Sequence, residues 1–172
     1  MRNESVRRWL VPGALLGVVA GVAFALFEMI AASAMGDGFW MPLRMIGAII
    51  LGEGALETSY SLTQAALVGA VLHMVLSGLY GAVFGVLCAL VHALRTNRGL
   101  LVAGASLYGL GLWIVNFYVI APIAFEWFQD ADPIVQFVAH TFFYGALLGA
   151  LLASRVPVHA ESRHRHGKPL GV

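Results

Sequence analysis

The chain is short of charge. Only 11% of its 172 residues are Asp, Glu, Lys or Arg, against about a quarter in ordinary soluble domains. A water-soluble fold of this length needs a polar shell, and there are too few charges to build one. Cysteine is nearly absent as well. Cys88 stands alone, which excludes an intrachain disulfide, a thiolate zinc cage and CxxC redox chemistry. No GxxxxGK[ST] phosphate loop, HExxH or GxSxG motif occurs, and no basic patch with interleaved aromatics points to nucleic acid. The apolar runs do not alternate with polar residues, as the strands of a membrane barrel would.

What the chain does have is apolar length. Sixty per cent of its residues are hydrophobic, gathered into four runs at about 10–35, 65–94, 100–125 and 134–154. A helix needs about 20 apolar residues to cross the hydrocarbon core, and each run satisfies that. The pattern predicts an all-α, polytopic four-helix bundle as one transmembrane domain over 10–154. A short N-terminal segment, 1–9, precedes it, and a basic tail, 155–172, reads as disordered. His159, His164 and His166 in that tail could bind metal loosely, but they read first as solvated. The connection 36–63 contains FWMPLRMIGAIILGEGAL, whose apolar part is too short to span. It predicts an external interfacial or re-entrant helix at about 41–56, opened by Pro42 and anchored by Trp40. Met41, Met45 and Ile46 are placed to roof the bundle.

Basic residues set the orientation. Arg2, Arg7 and Arg8 precede the first run, and Arg95 and Arg98 separate the second from the third. Arg155, Arg163, Arg165 and Lys168 follow the fourth, and only Arg44 falls on the other side. By the positive-inside rule both termini are cytoplasmic, in a cell (inner) membrane. Asp37, Glu53, Glu57, Glu126, Asp130 and Asp132 fall in the external connections. A different reading takes Arg7 and Arg8, the apolar core and AASAM (31–35) as a secretory signal with a small-residue cleavage site. Cleavage there would leave three spans and remove Glu28.

Every run carries small residues at helical spacing, the mark of close helix packing in lipid. The first has Gly13, Gly17, Gly21 and Ala25. The second has Ser77, Gly81 and Gly85, the third Ala105 and Gly109, and the fourth Thr141, Gly145, Gly149 and Ala153. These faces suit packing within one chain or a homo-oligomer; the lipid bilayer is the other partner. Polar residues sit in line with them. Glu28 continues the first stripe, His73 precedes Ser77 by four, Asn116 follows Gly109 by seven, and His140 is flanked by Gln136 and Tyr144 at i−4 and i+4. At about 1.5 Å per residue, Glu28 lies roughly 6 Å and the two histidines roughly 10 Å below the outer boundary, with Asn116 in the same half. His92 lies near the cytoplasmic end and reads as an interface residue.

Polar side chains in hydrocarbon are costly and tend to serve function. Glu28, His73, Asn116, His140, Ser77 and Tyr144 therefore form the candidate intramembrane site. Its expected role is handling protons, ions or a metal. Histidine changes charge near neutral pH, so Glu28 with His73 or His140 could carry a proton while Ser77, Asn116 and Tyr144 orient water. Glu28, His73 and His140 also suit Fe, Mn or Zn, with Met29 and Met74 adding affinity for Cu(I). A haem held by His73 and His140 is a third form of the site. Trp113, Phe117, Tyr118, Phe142 and Phe143 read as packing in all three. Against these stands a non-catalytic scaffold or accessory subunit, in which the polar groups are interhelical glue worth about 0.6–2 kcal/mol per contact. Catalysis is not expected, because no activated nucleophile is recognisable; Ser77 lies one turn from His73, a weak signal alone.

The order PLRMIGAIILG, LHMVLSGLYG, YGLGLWIVNFYVIAP and FVAHTFFYGALLGALL resembles that of small bacterial four-span inner-membrane proteins of the domain-of-unknown-function type. The likeness runs from about residue 13 to 153. It implies a polytopic bacterial membrane protein and carries no activity with it.

Overall fold

The computed structural model describes residues 2–156, with side chains from Val6 onward. The tail histidines His159, His164 and His166 lie outside the described residues. The described chain is helical, and four helices are long and apolar enough to cross a membrane: Val6–Met35, Leu62–Leu90, Arg98–Ala124 and Pro133–Ala153. The protein is a multi-pass, all-α membrane bundle.

Local chemistry sets the helix ends. The first helix, Arg2–Met35, closes in a Schellman turn. Gly36 takes φ 95°, a conformation costly for any residue with a Cβ, and the Asp37 N–H reaches back to the Ala32 carbonyl at 3.0 Å. Side-chain oxygens start the other three spans. The Ser61 hydroxyl accepts from Gln64 N, the Asn97 carboxamide from Leu100 N, and one Asp132 oxygen from both Ile134 N and Val135 N. Pro133 fills the first turn of the fourth span, where a missing N–H costs nothing.

Burial is inverted relative to a soluble helix. On the first span Gly13, Gly17, Ala20, Gly21, Phe24 and Glu28 are buried, while Leu15, Val19, Val22, Leu26 and Ile30 are exposed. Small residues face the neighbouring helices and branched ones face lipid, as packing without a hydrophobic drive requires. The first and second spans pack most extensively and run antiparallel. A Cβ on Gly17 would lie 2.5 Å from the Ser77 carbonyl oxygen and 2.8 Å from Gly81 Cα, and one on Gly13 would strike the Gly81 carbonyl. The third and fourth spans form a second such pair, in which a Cβ on Gly149 would lie 2.8 Å from Val102 Cα. These small-residue faces are occupied within the chain and do not support the homo-oligomer considered for them.

Between the first two spans lies a short helix, Met41–Leu51, followed by a 3-10 turn, Glu53–Leu56. It lies against the start of the second span, where a Cβ on Gly69 would collide with the Leu43 carbonyl. Two polar clips hold this roof. Arg44 donates to the carbonyls of Ala55 (2.9 Å) and Glu57 (2.6 Å), and the Trp127 indole donates to Met45 O at 3.1 Å.

Two departures from the sequence reading are informative. The second helix stops at Leu90 rather than continuing to 94. Val91 is extended, and a separate short helix, His92–Thr96, carries the chain round to Asn97, which is extended again. Reversal within so few residues requires the helix to break. The second departure lies within the spans. From Asn116 to Ile120 and from Ala139 to Ala146 the backbone opens into the wider i→i+5 pattern of a π-helix.

Candidate functional site

All six candidate side chains line one cavity of about 310 Å³. Glu28 comes from the first span, His73 and Ser77 from the second, Asn116 from the third, and His140 and Tyr144 from the fourth. Glu28, His73, Ser77, His140 and Tyr144 are buried, and Asn116 is partly so. The two π segments supply Asn116, His140 and Tyr144. Such widened turns shift the helix register and recur at functional sites.

Each imidazole uses one nitrogen on a carbonyl. His73 Nε2 donates to Gly21 O across to the first span at 2.9 Å, and His140 Nδ1 donates to Gln136 O one turn back in its own helix, also at 2.9 Å. These bonds set the tautomers. They leave His73 Nδ1 and His140 Nε2 without a partner among the described residues, on rings that line the cavity. The Phe24 ring packs on both, with centroids 5.2 Å from His73 and 4.7 Å from His140. Tyr144 donates to Ser77 O at 2.6 Å, and Tyr108 to Tyr80 O at 3.0 Å. Tyr80 reaches Asn116 Oδ1 only at 3.5 Å, a long contact that leaves the carboxamide weakly held.

Glu28 is the least satisfied member. It is 5% exposed, and its Oε1 has no hydrogen-bond partner. The Gln136 side chain lies within hydrogen-bonding reach of the carboxyl group.

A second cavity of about 320 Å³ lies at the roof end. Its lining includes Asp37, Asp130 and Asp132, together with Met41 and Met45 of the roof helix. The two spaces share Glu28, Ile46, Gln136 and Phe128, contributed by the first span, the roof helix, the fourth span and the connection before it. These four residues are the shared wall, or neck, at which an acidic vestibule and the inner cavity adjoin.

Some sequence groupings are not formed. Glu28, His73 and His140 do not make a three-ligand metal group, and none occurs among the described residues. The Phe24 ring packs on both histidines, in space that a haem held between them would need. Ser77 is not bonded to His73 as a nucleophile to its base would be. The sequence reading also missed contributors. Gln136 was visible at i−4 from His140, and Phe24 lies one turn before Glu28, so helical spacing carried a signal for both. Ile46 sits on the short helix expected to roof the bundle, whereas Phe128 comes from a connection where no periodicity marks it. Compared with protein-family models, with curated proteins and with solved structures, the chain matches none.

Proposed function

We propose that the protein is an inner-membrane protein with both termini in the cytoplasm, whose cavity lies in the outer half of the bilayer and binds and releases protons. The clustering of Arg at one end of the spans supports the orientation. The observation that carries the functional reading is the convergence of Glu28, His73, Asn116 and His140, from four spans, on one cavity. Each imidazole is anchored through one nitrogen, so a proton can join or leave the other without ring rotation. Glu28 stands at the neck, where a proton from the vestibule enters. The space is roomy enough for waters to bridge these groups, and its polar atoms would hold them.

The test is proton flux into liposomes containing the purified protein and an internal pH-sensitive dye, driven by a potassium diffusion potential. Flux well above that of protein-free vesicles is expected, falling about tenfold in Glu28→Gln, a loss of about 1.4 kcal/mol in barrier terms. Wild-type flux equal to that of empty vesicles would overturn the reading.

A second reading, a scaffold whose polar groups only fix the packing, draws support from a different observation. The Tyr144, His73 and Tyr108 bonds all tie one helix to the backbone of another. It predicts substitutions that lower stability with no flux to lose.

A further inference from the structure

The inner cavity is chemically lopsided. Most of its accessible wall is apolar, and Phe24, Phe117, Phe125 and Phe128 contribute aromatic rings to it. One acidic residue, the buried Glu28, lines this space, and its Oε1 has no hydrogen-bond partner among the described residues. Among the described residues no Lys or Arg lines either the cavity or the vestibule. The charged and titratable groups around Glu28 are Asp37, Asp130 and Asp132 on the vestibule side and His73, His140, Tyr80 and Tyr144 on the inner side. The site therefore offers a carboxyl group and aromatic faces, with no permanent cation among the described residues that line it.

We propose that the cavity takes a compact organic ammonium ion, with its cationic head on Glu28 and its apolar body among the phenylalanine rings. This deepens the polar-cavity reading above and rests on it. Two arguments select an organic cation over a metal ion. A hard divalent cation such as Mg²⁺ or Ca²⁺ is held by carboxylates among its oxygen ligands, and Glu28 is the one acidic side chain among the described residues of this wall. An alkylated ammonium is weakly hydrated and is attracted to aromatic faces, which the wall supplies on several sides. The volume, about 310 Å³, is at the small end for ligand cavities and selects a small molecule. The vestibule fits the same ligand. Asp37, Asp130 and Asp132 gather positive charge at the entrance, beside the shared wall that holds Glu28.

The test is equilibrium binding of radiolabelled benzyltrimethylammonium to the full-length protein in nanodiscs. Saturable binding of one ion per chain is expected, weakened at least tenfold by Glu28→Gln and severalfold by Phe128→Leu. Neopentylbenzene, the uncharged carbon analogue, and potassium should fail to displace it. Absence of saturable binding would overturn the proposal, as would equal displacement by the neutral analogue or by potassium. Should Glu28→Gln not fold, carbodiimide labelling of Glu28 in the unaltered protein gives an independent reading: the probe should protect Glu28, and unchanged labelling would count against the proposal. Proton flux without ammonium binding sinks this inference alone. Loss of both sinks the polar-site reading with it.

Discussion

The hydroxyl of Tyr144 donates a 2.6 Å hydrogen bond to the main-chain carbonyl of Ser77, tying the fourth span to the second at the wall of the polar cavity. The first span arrives at the same residue, since a Cβ on Gly21 would lie 2.5 Å from Ser77 Cβ. Three helices therefore meet at Ser77. Tyr144→Phe keeps the ring and removes only the donor. Interhelical hydrogen bonds in membranes are worth about 0.6–1.7 kcal/mol. Unfolding of the purified variant in a detergent titration should show a stability loss in that range.

The glycine zipper should tolerate far less. Gly17→Val introduces a branched side chain where even a Cβ would be 2.5 Å from Ser77 O and 2.8 Å from Gly81 Cα, both backbone atoms. Backbone cannot swing aside as a flexible side chain can. The loss should exceed the usual overpacking cost of about 1–3 kcal/mol. It should appear as a lowered melting temperature and a broadened size-exclusion peak. Leu15→Val, on the exposed face of the same helix, should leave both unchanged.

These two cases show why much of the architecture could be read from the residues. Lipid demands long apolar runs and small residues where helices touch, and both are written along the chain at fixed spacing. The alignment of Glu28 with Gly17 and Gly21, and of His73 with Ser77, depends on helical period alone, so their shared cavity followed from the stripes. The π segments at Asn116 and His140 carry no such periodic signature, because a widened turn departs from the helical spacing by which the stripes are read. The neck was hidden for a related reason. Ile46 and Phe128 reach Glu28 only because Arg44 and Trp127 clip the connections onto the bundle, and those clips close over 11 and 82 residues.

Arg44 gives a prediction about that roof. It is the one basic residue expected outside, and its guanidinium is committed to the carbonyls of Ala55 and Glu57. Arg44→Ala leaves both acceptors without their charged donor. Hydrogen bonds to charged groups contribute about 1.5–3 kcal/mol, so the 3-10 turn Glu53–Leu56 should loosen. Amide hydrogen exchange over 52–58 should accelerate by at least about tenfold, while the interior of the second span keeps its protection.

The two histidines should separate when each is replaced by phenylalanine. His73 spends its hydrogen bond on another helix, at Gly21, whereas His140 spends its bond one turn back in its own. His140→Phe retains a ring against Phe24 and Phe117 and breaks no link between spans. Its stability should stay within about 1 kcal/mol of the unaltered protein. His73→Phe removes an interhelical bond, so about 0.6–1.7 kcal/mol should be lost. If the cavity handles protons, flux should fall about tenfold or more in both variants, including the one that remains stable. A stable His140→Phe with undiminished flux would remove His140 from the proton path and leave it a packing residue.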